Sequence, residues 1–209
     1  DARRALDTAV EITDELAKRH PDVVVYLRQA ALIRTYLANK VRQNPKDVAK
    51  AEEILTVARK HLDEIDRRKA MTPLFRQTLA EWETESGQVE RIKEKYTEAV
   101  KHFAAAERVY RELIAEGFQV ENCRYAVARQ QMSFAYAAMM SGDYDGALRA
   151  QYVGVEQLTD LLKVRKDDSA IQRALRPENL KALQLGRHHQ MPHQHATPRQ
   201  PIGGFQPEK

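Results

Sequence analysis

The residues best suited to chemistry in this sequence are histidines near its C-terminal end. Four of the seven histidines fall close together: His188, His189, His193 and His195. Imidazole nitrogens bind zinc, nickel and copper, but a dedicated metal site needs fixed geometry and supporting hydrogen bonds. The neighbouring prolines and glycines are typical of disorder. We therefore expect adventitious metal binding at most, and no metal site.

The rest of the sequence carries no catalytic motif. It lacks a glycine-rich phosphate loop, a nucleophile elbow and a pair of histidines at helical metal-ligand spacing. Acidic pairs such as Glu52–Glu53 are common on solvated helices. Cys123 is the only cysteine, which excludes an internal disulfide and a cysteine-based zinc site. We expect a protein that is not an enzyme and that needs no cofactor.

Composition and net charge indicate which classes of binding partner are unsuited to this chain. The chain has 209 residues, of which 43% are hydrophobic and 31% charged, and a formal net charge of +4. No basic stripe with interleaved aromatic residues is present, so we expect no nucleic acid partner. The longest apolar run, at 134–140, is far shorter than the roughly 20 residues that span a bilayer. We expect no membrane association and a cytoplasmic location.

Internal repeats give the strongest signal in the sequence. The spacing from Ala51 to Ala99 equals the spacing from Ala99 to Ala147. Two further sets recur with nearly the same spacing. One consists of Ala31, Ala80 and Ala128, and the other of Tyr26, Phe75, Cys123 and Ile171. Three sets that share one period predict a repeat of roughly 48 residues, with Cys123 packed as a small hydrophobic side chain.

Each period is typical of two helices. Apolar residues recur at spacings of three and four, as in Ala51, Leu55, Ala58 and Leu62. The first helices are predicted over about 22–42, 73–91 and 120–140, and the second helices over about 47–66, 92–116 and 144–165. The first helix of the second unit has a weak apolar pattern, so a continuous helix into its partner stays an alternative. Alanines where helices cross predict close backbone approach.

The fold class predicted from this pattern is all-α, an α-solenoid of antiparallel helix pairs with about three and a half repeats. The domain covers residues 1–185: a half repeat at 1–19, repeats at 21–66, 73–116 and 120–165, and capping helices at 169–185. Residues 186–209 form a tail rich in histidine, proline and glycine, which we expect to be disordered. Because the chain begins at Asp1 inside a helical pattern, we expect a piece of a longer protein.

Two of the units resemble the tetratricopeptide repeat family. The matching residues are Tyr96, Ala99, Phe103 and Ala106 in the second unit, and Phe134, Ala135, Ala138, Gly142, Asp143, Tyr144, Ala147 and Leu148 in the third. The family's usual unit has about 34 residues, and the unit here is longer. The first unit also resembles the long-period bacterial versions of the repeat, in the residues Pro21, Asp22, Tyr26, Ala31, Leu37, Ala38 and Asn39. Such versions are often appended to serine/threonine kinases and other signalling proteins.

The resemblance implies that the first helices line a concave groove that binds a peptide or helix of a partner. The repeat alignment places ten residues on that groove: Thr35, Asn39, Arg42, Thr84, Gln88, Arg91, Arg129, Met132, Tyr136 and Met139. Arginine can bind a carboxylate with two hydrogen bonds, and methionine adapts to irregular apolar surfaces. The alternative is that these side chains are merely solvated or packed in the core.

The resulting hypothesis is a non-catalytic scaffold for protein–protein interaction, within a larger bacterial signalling or regulatory protein. Two alternatives remain open. One is a structural spacer that self-associates through its repeat ends, because an uncovered end exposes an apolar face. The other is a regulatory appendage of a catalytic domain outside this chain.

Overall fold

The computed structural model describes residues 2–176, and its regular secondary structure in that range is helical. The eight α-helices of this range are α1 (Ala2–Arg19), α2 (Val24–Val41), α3 (Val48–Arg67), α4 (Pro73–Ile92), α5 (Tyr96–Ala115), α6 (Val120–Met140), α7 (Tyr144–Val164) and α8 (Ser169–Ala174). A single 3-10 turn, Pro45–Asp47, links α2 to α3. The predicted all-helical class is confirmed for this part of the chain.

Consecutive helices pack against one another, and α2 also contacts α4. The core clusters give the direction of the α2–α3 pair. Leu27 near the start of α2 packs with Leu62 near the end of α3. Leu37 near the end of α2 packs with Ala51 near the start of α3. The two helices therefore run antiparallel, as the short connection between them requires.

Backbone conformation at the helix ends explains where the chain turns. Gly117 has φ +75° and Gly142 has φ +94°, a left-handed conformation that glycine adopts without a Cβ penalty. Glu94, which is not a glycine, has φ +60° between α4 and α5. The alternative of one continuous helix through this connection is therefore wrong, because α4 ends at Ile92 and α5 begins at Tyr96.

Small residues are buried between packed helices. Ala51 and Ala99 are completely buried and Ala147 is 1% exposed, as expected for a close crossing. Gly87 on α4 is also buried, and a Cβ added there would lie 2.6 Å from Cε1 of Phe103 on α5. Small side chains at these positions allow the paired backbones to approach each other.

The repeated apolar position forms part of the core in three of its four instances. Phe75, Cys123 and Ile171 are buried, and Tyr26 packs half-buried against the same cluster as Phe75. Burial raises the pKa of the Cys123 thiol above its ordinary value, which disfavours the reactive thiolate. Cys123 therefore packs as a small hydrophobic residue, as predicted.

Two of the polar residues that weaken the apolar pattern of α4, Glu83 and Glu90, have side-chain partners in the fold. Glu83 Oε2 lies 2.7 Å from His102 Nδ1 on α5, and Glu90 pairs with Lys93 at 3.1 Å. Trp82 Nε1 donates a hydrogen bond of 2.8 Å to the carbonyl of Leu55 on α3. These contacts join α4 to both of its sequence neighbours, so the helix is regular despite its composition.

The last described helix is short. Asp168 caps α8 by accepting hydrogen bonds from the backbone N–H groups of Ala170 and Ile171. Ile171 is completely buried in a cluster with Leu158 of α7. Residues 177–185 of the predicted cap and the tail at 186–209 lie outside the described residues. Among residues 2–176, no helix has the length and apolar character needed to cross a lipid bilayer.

Candidate functional site

Eight of the ten residues predicted to face a groove line two adjoining cavities formed mainly by α2, α4 and α6. The first cavity has a volume of about 350 Å³ and is called the central cavity here. The second has a volume of about 280 Å³. Arg129 lines both of them. The predicted residues on the central cavity are Thr35, Asn39, Thr84 and Arg129, and those on the second cavity are Gln88, Arg91, Arg129, Met132 and Tyr136.

Aromatic and amide contacts organise the second cavity. The guanidinium of Arg91 lies 5.4 Å from the ring centre of Tyr136, within the range of a cation–π contact. Arg91 Nε also donates to Gln88 Oε1 at 2.9 Å. Gln88 Nε2 in turn donates to Ser133 Oγ at 3.2 Å. This chain of contacts holds the α4 and α6 side chains in one surface.

Threonine hydroxyls line the central cavity and are engaged with the backbone. Thr35 is completely buried and donates to the carbonyl of Ala31 at 2.9 Å. Thr84 donates to the carbonyl of Ala80 at 2.8 Å, and its oxygen accepts from Gln130 Nε2 at 2.8 Å. Thr35 therefore supports the wall of this cavity, and its hydroxyl is already used within the fold.

Asn39 and Arg42 both bind Glu85 on the neighbouring first helix. Asn39 Nδ2 donates to Glu85 Oε1 at 2.8 Å, and Arg42 Nε donates to Glu85 Oε2 at 2.6 Å. The side chains of Arg42 and Glu85 are 17% and 13% exposed, so the pair is largely shielded from water. These two predicted groove residues thus join α2 to α4. Arg42 lies outside both cavities, as does Met139, which is half-buried on α6.

The carboxyl group of Glu81 has an unusual environment in the central cavity. Burial raises its pKa above the ordinary value, although the hydrogen bond from Gln77 Nε2 to Glu81 Oε1 and the neighbouring Tyr36 act in the opposite direction. The pKa of Tyr36 is raised as well, by burial and by the neighbouring Glu81. Burial also raises the pKa of Tyr110 on α5. The ionised form of Glu81 is therefore poorly stabilised in this structure.

Arg91 and Arg129 hold their guanidinium groups against aromatic rings. No carboxylate among residues 2–176 forms an ion pair with either guanidinium. Arg129 is exposed, and its guanidinium lies 5.9 Å from the ring centre of Tyr125. Arginine presents five donors in a rigid fork, so these two side chains can offer hydrogen bonds to an external group.

Several cavity residues were missed by sequence reasoning. They are Tyr36, Glu81, Glu85, Tyr110, Tyr125, Ala126 and Gln130. A signal for one of them was present, because Glu81 lies one repeat period before Arg129 and therefore occupies the equivalent repeat position. Glu85 likewise lies one period before Ser133. Extending the alignment of Arg129 to the second unit would have identified Glu81.

Within residues 2–176, no three His, Cys, Asp or Glu side chains are placed to hold a metal ion. The four histidines of the tail lie outside the described residues. No family model matches this sequence, and a search of curated proteins also finds no match.

Proposed function

We propose that this chain is a non-catalytic scaffold for protein–protein interaction, built as a solenoid of tetratricopeptide-like helix pairs. A peptide or helix of the partner binds along the first helices, α2, α4 and α6. The observation that carries the proposal is the clustering of eight predicted groove residues around two adjoining cavities. Two arginines without carboxylate partners in the described chain and a tyrosine line that surface.

The arrangement suits binding better than catalysis. The predicted groove side chains are spread along three helices and over two adjoining cavities, as suits contact with an extended segment. An extended surface of this kind gives many weak contacts to a partner segment, and a repeat architecture presents such a surface while local contacts stabilise it. Tyrosine and arginine are also the residue types that contribute most often to binding energy at interfaces.

The proposal is tested by affinity purification with the whole 209-residue chain as bait. A groove variant carries Arg91→Ala, Arg129→Ala and Tyr136→Ala. A matched control removes two cations and one tyrosine from exposed positions of the second helices, with Lys101→Ala, Arg111→Ala and Tyr152→Ala. We expect a partner that wild type and control capture and that the groove variant loses.

Capture of the same proteins by all three baits would overturn the groove assignment. Sedimentation of the purified chain over a range of concentrations completes the test. Self-association that depends on concentration, without any captured partner, would favour the structural spacer in place of the scaffold.

A further inference from the structure

The central cavity combines aromatic rings with carboxylates. Tyr36, Tyr110 and Tyr125 contribute phenol rings, and Glu81 and Glu85 contribute carboxyl groups. Aromatic faces carry partial negative charge and attract cations. Carboxylates accept hydrogen bonds from cations and add full charge. Both kinds of side chain favour a positively charged guest.

Unused hydrogen-bonding atoms in the cavity wall are acceptors. Glu81 Oε2 and Gln130 Oε1 are buried and accept no hydrogen bond from any of the described residues. Gln130 is 3% exposed, so water does not reach its side chain freely. A buried acceptor without a donor costs free energy. A guest that brings N–H donors would remove this cost, whereas an apolar guest would leave it in place.

The neighbouring charged side chains do not offset the effect of burial on the carboxyl group of Glu81. Glu85 is bound by Arg42 and by Asn39. Arg28 lowers the pKa of Glu81 by its charge, but burial outweighs this effect. Arg129 lines the cavity with its guanidinium against Tyr125 and forms no ion pair with Glu81. The described cations therefore do not offset the effect of burial on Glu81, and a further cation in the cavity would stabilise its ionised form.

We propose that the central cavity binds the charged end of a lysine or arginine side chain from the partner segment; this inference rests on the proposed function. Ammonium and guanidinium groups carry three and five N–H donors, respectively, which match the unused acceptors. The methylene stem packs on the tyrosine rings while the charge lies near Glu81. The cavity volume of about 350 Å³ accommodates such a side chain.

The first experiment probes the cavity without any partner. n-Butylammonium chloride is titrated into the full chain, and NMR follows the labelled rings of Tyr36 and Tyr125. Sodium chloride matches the ionic strength, and n-butanol is the neutral probe. We expect saturable shifts with the ammonium ion, none with the alcohol, and a loss of these shifts in Glu81→Gln. Equal shifts in Glu81→Gln, or no shift at all, would overturn the inference.

The second experiment tests whether a basic side chain of a peptide partner supplies the cation that binds in the central cavity. A phage-displayed library of random dodecapeptides is selected on the immobilised chain, and a selected peptide is synthesised for calorimetry. We expect a lysine or arginine at one fixed position, and replacing it with glutamine should weaken binding about tenfold, the effect of one charge-assisted hydrogen bond. Glu81→Gln should weaken binding similarly. Glu83→Gln on the same helix, where the carboxylate faces His102, should bind like wild type.

The outcomes separate this inference from the proposed function. Selected peptides without a basic residue would overturn the inference and leave the scaffold intact. If the cavity binds n-butylammonium saturably but no peptide is selected, the proposal that a partner side chain supplies the cation would be overturned. The same result would count against the scaffold function. Thermal unfolding of Glu81→Gln checks that the variant folds, which we expect because the substitution removes a buried carboxyl group.

Discussion

Gly87 on α4 and Phe103 on α5 occupy neighbouring space with no room for a methyl group between them. A Cβ built on Gly87 would lie 2.6 Å from Cε1 and 2.8 Å from Cδ1 of Phe103. Phe103 is completely buried, so its ring cannot move into solvent. The distance between these two helices therefore depends on the absence of a side chain at position 87.

Gly87→Ala should destabilise the protein by about 1–3 kcal/mol through overpacking. Alanine favours a helix over glycine by about 0.5–1 kcal/mol, so steric conflict must exceed that gain. Phe103→Leu makes room, and we expect Gly87→Ala to cost less in that background. Urea unfolding of the two single variants and the double variant measures the coupling. Equal costs in both backgrounds would show that the ring is not the obstacle.

Ala99→Leu or Ala147→Leu should each cost roughly 1–3 kcal/mol, because both alanines are buried where paired helices meet. Ala104→Leu on α5 is the matched control, since Ala104 is exposed. We expect the control to leave the free energy of unfolding nearly unchanged. A tolerant Ala99 would mean that the helices around it, including α6 with Ala137, can separate without loss of packing.

Glu85→Ala should destabilise the protein by about 1.5–3 kcal/mol, since it removes charge-assisted hydrogen bonds to Asn39 and Arg42. Arg42 would then keep a largely buried charge without its carboxylate. A double-mutant cycle with Arg42→Ala, followed by urea unfolding, isolates the coupling between these two residues. Glu53→Ala, which removes an exposed carboxylate on α3, serves as the control. Additive effects at positions 42 and 85 would contradict the contact.

The free energy of unfolding should depend on pH because of His61. Burial lowers its pKa below the ordinary value of 6.5, the charge of Arg34 adds to this effect, and Asp14 opposes it. As pH falls below 6.5, the unfolded chain takes up a proton before the folded chain does, so the free energy of unfolding decreases. Chemical unfolding at several pH values should show a weaker decrease in His61→Gln. The same substitution at the exposed His20 is the matched control.

Much of the fold was predictable because small and apolar side chains recur with the period of the helix pairs. Ala51, Ala99 and Ala147 form one such series, and all three are buried. Burial at each of these positions favours a small side chain. A periodic constraint of this kind is visible in a single sequence.

The polar arrangement of the candidate site could be predicted only in part. The alignment selected Asn39 and Arg42, but their common partner Glu85 lies 46 and 43 residues further along the chain. Such a pairing depends on the offset between neighbouring first helices, and no sequence spacing encodes that offset. The carboxyl group of Glu81 was missed because burial of a charged side chain contradicts its usual preference for solvent.

Each described helix packs mainly against its sequence neighbours. This affects how the described part of the chain unfolds locally. Contacts that are local in sequence form and break without large loop closure. Within the described residues, α1 packs mainly against α2, whereas α4 contacts α2, α3 and α5. Hydrogen exchange should therefore be faster in α1 than in α4. A partner held across α2, α4 and α6 would slow that exchange most in the central helices.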